Sequence, residues 1–156
     1  MCAGQGSVGF TIINESENIG GLISVEIYSQ QIEDMKKTIS DNKLPANKIQ
    51  LIESNALDNV QSDIKVDLVV CNPPHSNKTP KNWDQLGGAD QDWKFHKNFL
   101  SKISSHLNSD GLVTLLERKG SSNTDLFSKM LPNDLKIINS QILRYTDWYI
   151  ITIAHK

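Results

Sequence analysis

The chain has 156 residues, 38% of them apolar, and sets 16 Lys and Arg against 18 Asp and Glu for a formal net charge of -2 at neutral pH. Such a length and composition suit one compact soluble domain with its own core, and the scattered charges leave no basic tail or stripe of the kind that tracks a phosphate backbone. No apolar stretch approaches the roughly 20 residues of a membrane helix, no charged-then-apolar signal opens the chain, and two cysteines, Cys2 and Cys71, make no disulfide framework, so a reducing cytoplasm is the expected setting.

In chain order, "AGQGSVGF" comes first, with Gly4, Gly6 and Gly9 in the G-x-G-x-x-G spacing. "GLISVEI" (Gly21 to Ile27) then reads as a strand, and "SQQIEDMKKTISDN" as a helix with Ile32, Met35 and Ile39 on one face. "KIQLIESNA" and the nearly continuous apolar "VDLVVCN" read as further strands, the latter with both faces covered. "DWKFHKNFLSKISSHL" (Asp92 to Leu107) predicts a helix with Phe99, Leu100, Ile103 and Leu107 on one stripe and Asp92 as its cap. "NSDG" is expected to turn the chain into the strand "LVTLLE", a short helix follows around "TDLFSKML", and "KIINSQIL" with "WYIITIA" forms an antiparallel strand pair.

Strands alternating with helices predict an α/β class with a mostly parallel, doubly wound sheet. A domain of that kind begins with a strand feeding its glycine loop, whereas only Met1 and Cys2 precede "AGQG". The expectation is therefore a single domain over residues 1–156 that is incomplete at its N-terminus, its first and central strand missing or supplied from elsewhere.

Glycines at these positions let the loop turn sharply, let a ligand approach the backbone and let the next helix pack closely. Glu26 ends the following strand 20 residues after Gly6, near the distance at which a carboxylate takes both hydroxyls of a bound ribose. The alternatives are a structural glycine turn and a solvated strand end. The pair favours an adenosine-containing cofactor, and by itself does not separate a nicotinamide from S-adenosyl-L-methionine. Asn55, where the third strand would end, has an amide able to donate to and accept from an adenine edge, or is simply a turn residue.

"VVCNPPHSNK" breaks the tie. An amide nitrogen is a poor nucleophile because its lone pair is spread into the neighbouring π-system. If the side-chain oxygen of Asn72 and the backbone carbonyl of Pro73 each accept one N–H of a planar NH2 group, the nitrogen is held with its lone pair towards the methyl donor. Pro73 and Pro74 stiffen the turn that aims these acceptors. Near-attack positioning of this kind is worth roughly 7 to 11 kcal/mol. The predicted reaction is a direct in-line methyl transfer without a metal or a covalent intermediate.

Gly4, Gly6 and Gly9, then Glu26, "NPPH", "GGAD" (Gly87 to Asp90) and "LVTLLE" together resemble the class I S-adenosylmethionine-dependent methyltransferases. Their order is most similar to the protein-(glutamine-N5) methyltransferases of peptide release factors and the small methyltransferase group. The resemblance covers nearly the whole chain. It implies that Ala3, Gly4, Gln5 and Gly6 lie along the methionine part of the cofactor and that Glu26 grips the ribose. It places Ile27, Asn55 and Ala56 at the adenine, and Asn72, Pro73, Pro74 and His75 at the acceptor. A protein substrate such as a release factor is implied first, and an exocyclic amine of an RNA or DNA base second. A cofactor-binding remnant without turnover is the reading outside enzymes.

The chain departs from that pattern at His75, where relatives carry an aromatic residue, most often tyrosine. The histidine keeps a flat ring and adds a titratable nitrogen, suited to hydrogen bonding more than to general-base work. Asn55 stands where many relatives have aspartate. No N-terminal helical domain of the release-factor enzymes precedes the glycine loop, which leaves the substrate open. Among the remaining candidates, His96 reads as a satisfied histidine at the edge of the core, and His106 and His155 have no metal partners at recognisable spacing. Trp83 and Trp93 either wall the acceptor pocket or anchor their loop. Ser121 and Ser122 read as a helix start.

Overall fold

The computed structural model describes residues 1–81 and 87–156, so Trp83 lies outside the described residues. The chain divides into two compact units, Met1–Val60 and Gln61–Lys156. None of the described helices is long and apolar enough to cross a membrane.

The first unit comprises helix α1 (Ser7–Glu15), strand β1 (Leu22–Glu26), helix α2 (Ser29–Asp41), a 3-10 turn (Ala46–Lys48) and strand β2 (Ile49–Glu53). β1 and β2 pair in parallel, with Leu22 opposite Ile49 and Glu26 opposite Glu53, and α2 makes the crossover between them. The apolar stripe of α2 does what its spacing predicts. Ile32 and Met35 are buried with Phe10 of α1, and Ala3, Leu22, Ile39, Leu44, Ile49 and Leu51 pack against them. α2 stops at a Schellman motif. Lys43 takes a left-handed φ of 53°, its N–H reaches the Ser40 carbonyl and the Leu44 N–H reaches that of Ile39, and Leu44 turns into the core. Residues 1–6 form no strand, although the Ala3 N–H donates to the Val25 carbonyl of β1 at 3.1 Å.

The second unit holds a four-stranded sheet of β3 (Val66–Cys71), β4 (Leu107–Arg118), β5 (Leu135–Ile142) and β6 (Trp148–His155) in the order β3-β4-β6-β5. β3 and β4 are parallel, and β6 is antiparallel to both of its neighbours, as expected for the last two strands. Helix α3 (Lys94–Ile103) separates β3 from β4, and the short helix α4 (Thr124–Ser128) follows β4. The α/β class and the mixture of parallel and antiparallel pairing agree with the sequence reading, while the strands are distributed over a two-stranded and a four-stranded sheet.

Three local expectations are corrected. Leu107 does not continue the helical stripe, since α3 ends at Ile103 and Leu107 opens β4. "NSDG" is no turn but part of a bulge inside β4. Val66 faces Leu107 and Leu68 faces Leu112, so the extra residues of β4 swell outwards while the strand continues. Asp92 does not cap the helix. It has a φ of 59°, and Asp90 caps α3 instead by accepting the N–H groups of Phe95 at 2.8 Å and His96 at 3.2 Å. Beyond the bulge, β4 alternates strictly, with Val113, Leu115 and Glu117 on the buried face. A glutamate thus occupies a core position.

Candidate functional site

In the first unit the glycine loop is a tight turn closed by the Gly6 N–H on the Ala3 carbonyl at 2.8 Å, and α1 begins where Phe10 N–H bonds the Gly6 carbonyl at 2.9 Å. Gly6 has a φ of +84°, and a Cβ there would come within 2.4 Å of the Phe10 ring. Gly4 has a φ of +54°, yet no atom lies within 4 Å of where its Cβ would be. Gly6 therefore serves the protein's own packing, and Gly4 borders open space that a ligand can take. Gly9 lets α1 rest against Leu22. Ala3 packs against the core, and Gln5 is exposed and borders a cleft with Thr11, Asn14 and Thr38.

Glu26 is 7% exposed at the end of β1. Its Oε2 accepts the Gly4 N–H at 2.8 Å, and its Oε1 accepts those of Ile27 at 2.8 Å and Tyr28 at 3.3 Å. The carboxylate so ties the glycine loop to the strand end, a contact that the sequence did not suggest. Ile27 and Tyr28 leave their side chains exposed just beyond it. Past β2, the Ser54 N–H bonds the Glu26 carbonyl at 2.8 Å. Asn55 is exposed there, while Ala56 is buried with a φ of 49°.

In the second unit β3 delivers Asn72 to the surface, with Pro73 buried behind it and Pro74 and His75 half-buried. The His75 ring meets Trp148 of β6 edge-on, with centroids 4.6 Å apart. Its Nδ1 is buried without a hydrogen-bond partner. Burial lowers the His75 pKa, with His96 and Arg118 adding to the effect and Glu117 opposing it. The loop beyond is tied back on itself. Ser76 bridges to Ala89, its N–H donates to the Gly88 carbonyl at 3.0 Å, and its carbonyl accepts the Asp90 N–H at 2.8 Å. Lys78 and Lys81 line a cleft here with Ser76, Thr79, Pro80, Gly88 and Ala89.

Beneath this loop lies a polar cluster that the sequence reading missed. His96 is fully buried, not at the core's edge, and is flanked by Asp90 (4% exposed) and Glu117 (fully buried). Its Nδ1 lies 2.6 Å from Asp90 Oδ2 and its Nε2 2.9 Å from Glu117 Oε1. Phe127 stacks on the ring at 4.7 Å, and Trp93 and Phe95 meet it edge-on. Burial pulls the His96 pKa down, but the two carboxylates outweigh it and hold the value above that of an ordinary histidine. Glu117 Oε2 accepts the hydroxyl of Ser122 at 2.9 Å, whose oxygen is 3.0 Å from Tyr149 Oη. Ser122 is therefore part of this network and not a helix start; α4 begins at Thr124, capped by Asn123. The signal was present in the sequence, since Glu117 shares the phase of Val113 and Leu115, and His96 lies one turn before Phe99 and Leu100. Among the described residues no group of three or more His, Cys, Asp or Glu is placed to hold a metal ion.

Residues 1–140 match the methyltransferase small domain. The chain belongs to that family. It is a methyltransferase domain, and its cofactor is S-adenosyl-L-methionine. The fold is shared with solved structures of low sequence identity. A ribosomal protein L11 methylase from Lactobacillus delbrueckii subsp. bulgaricus superposes with a TM-score of 0.72 at 18% identity, over 99% of this chain and 67% of that one. TrmN from Thermus thermophilus gives 0.73 at 14% identity, over 99% of this chain and 42% of that one. An S-adenosylmethionine-dependent methyltransferase from Clostridium acetobutylicum gives 0.69 at 11% identity, over 99% and 81%. The chain thus spans from less than half to about four fifths of these proteins. No curated protein matches it by sequence.

Proposed function

We propose that the chain transfers a methyl group from S-adenosyl-L-methionine to a planar nitrogen, with the side-chain amide of a protein glutamine as the first acceptor class. In this reading residues 1–156 act as one methyltransferase domain. The open space at Gly4 fits a ligand lying along the loop from Ala3 to Gly6. Glu26 takes the ribose hydroxyls, and Ile27, Asn55 and Ala56 border the adenine.

The observation that carries the acceptor side is the state of the motif itself: Asn72 exposed at the carboxyl end of β3, Pro73 buried behind it. The cofactor supplies an electrophilic methyl carbon on a sulfonium. Asn72 Oδ1 and the Pro73 carbonyl hold the two N–H groups of the acceptor, which directs the nitrogen lone pair at that carbon. The N–C bond forms as the C–S bond breaks, and the nitrogen gives up one proton. His75, whose neutral form is favoured by burial, sets a flat ring beside the acceptor.

A protein acceptor has the support of the ribosomal protein methylase among the structural neighbours. The cleft with Lys78 and Lys81 beside the motif supports a second reading, the exocyclic amine of a nucleic-acid base. Purified protein incubated with methyl-tritiated cofactor and either a release-factor protein or RNA separates them. Label on a glutamine, found by mass spectrometry, supports the first. Label on RNA, with binding that weakens as salt rises, replaces it by the second. Asn72→Ala should abolish transfer and leave S-adenosylhomocysteine affinity within about 2-fold, a difference of only about 0.4 kcal/mol. A parallel loss of both would overturn the division of labour.

A further inference from the structure

The acceptor segment is suspended from a buried chain of hydrogen bonds. The Ser76 carbonyl accepts the Asp90 N–H, the Asp90 carboxylate meets His96, and His96 meets Glu117. Glu117 holds the Ser122 hydroxyl, and Ser122 meets Tyr149. Tyr149 is the neighbour of Trp148, whose ring touches His75. The chain therefore leaves the motif at Ser76 and returns to it at His75.

Proton counting decides the state of its centre. Each His96 nitrogen faces a carboxylate oxygen, and an ionised carboxylate only accepts. A neutral imidazole has one N–H and would set its other nitrogen, an acceptor, against a carboxylate oxygen that also only accepts. An imidazolium satisfies both. The titratable or charged groups around it are Asp90 on the loop, Glu117 on β4, Tyr149 on β6 and His75 on the motif, with Arg118 acting on His75 from the strand end. The remaining neighbours, Trp93, Phe95 and Phe127, are aromatic.

We propose that His96 is a positioning residue for methyl transfer: as an imidazolium clamped between Asp90 and Glu117, it fixes Ser76 and thereby the aim of Asn72 to His75. It touches neither cofactor nor acceptor. The inference rests on the acceptor role proposed above for that motif. Two consequences follow. Removing the clamp should lower kcat and spare the cofactor, and raising the pH until His96 loses its proton should do the same to the native protein.

The test uses the full chain and His96→Gln, with two readouts that need no acceptor. By histidine-selective NMR of the native protein, His96 should carry both ring protons through neutral pH, and the Asp90 amide should exchange slowly with solvent. In His96→Gln that amide should lose protection and the His75 resonance should shift, while calorimetry shows S-adenosylhomocysteine affinity within about 2-fold of native. With the acceptor that the native protein methylates, kcat should fall by about 100-fold, the loss associated with a misplacement near 1 Å. The alkaline fall in kcat should be absent from the variant.

A neutral His96 at pH 7, an unchanged Asp90 amide or an unchanged kcat would each overturn the proposal. A variant that is less stable but keeps both kcat and the alkaline limb would make the cluster merely structural and also overturn it. Should His96→Gln not fold, Glu117→Gln serves instead, and the alkaline limb should then move to lower pH; a limb that stays in place refutes the role. If the native protein methylates no acceptor while the two NMR results hold, the proposed function fails and the clamp on Ser76 stands.

Discussion

Glu26→Gln tests the cofactor half of the site. The carboxylate receives the N–H groups of Gly4, Ile27 and Tyr28, which fills three of its roughly four acceptor positions. Taking both ribose hydroxyls therefore requires one backbone bond to yield, and the longest, to Tyr28 at 3.3 Å, is the cheapest to release. The substitution turns one oxygen into an NH2 group. In the less costly orientation that group faces Gly4 N–H, leaving a donor unsatisfied for about 1–3 kcal/mol, and loss of charge at the other oxygen removes about 1 kcal/mol more. The first unit should lose about 2–4 kcal/mol of stability. One charge-assisted ribose bond, about 1.5–3 kcal/mol, should also go, which raises the S-adenosylhomocysteine dissociation constant by roughly 10- to 150-fold. Thermal unfolding reads the first effect and calorimetric titration the second. An unaltered affinity in a destabilised variant would make Glu26 a loop tether alone, and an unaltered melting curve would refute the bonding argument.

The two loop glycines should separate by their surroundings. Gly6→Ala meets both a left-handed backbone, about 1–2 kcal/mol, and the Phe10 ring at 2.4 Å, about 1–3 kcal/mol of overpacking. Gly4→Ala meets only the first of these, so denaturant midpoints should rank Gly6→Ala as the less stable, while Gly4→Ala should weaken S-adenosylhomocysteine binding more. The two histidines should give stability opposite pH slopes. The neutral form of His75 is favoured by folding, so its contribution is present above the ordinary histidine pKa of about 6.5 and lost as pH falls through the lowered value. The protonated form of His96 is favoured, so its contribution is present below about 6.5 and lost as pH rises through the raised value. Denaturation across pH should show His75→Tyr removing the acid limb and His96→Gln the alkaline one. Phe127→Ala, which empties a fully buried position stacked on His96, should cost about 3–5 kcal/mol, seen as a lowered denaturant midpoint.

The legible parts of the fold are those set by local periodicity. The stripe of Ile32, Met35 and Ile39 is long enough to mark α2 and its buried face, and the β-branched runs mark every strand that forms. The misread parts depend on partners distant in sequence. "NSDG" has turn chemistry, yet its neighbour β3 keeps pairing on both sides of it, so the extra residues become a bulge. Asp92 and Asp90 are equally good caps by type, and what selects Asp90 is its simultaneous contact with His96 and Ser76. No window along the helix contains that information.

The same distinction governs the site. The glycine spacing and Asn-Pro-Pro are readable because each is a statement about backbone shape made by adjacent residues. His96 was not, because its meaning resides in an argument of charge: between two ionised carboxylates a buried imidazole satisfies both only when it carries both ring protons. The phase of Glu117, in register with Val113 and Leu115, placed a carboxylate in the core before any partner was known. A buried carboxylate demands donors, and the only cationic or protonatable side chain on the apolar stripe of the preceding helix is His96. Asking what satisfies Glu117, rather than what His96 ligates, would have led from the strand to the helix and on to Asp90. The ionic state of that trio is then a condition on the backbone at Ser76, and through it on the motif from Asn72 to His75.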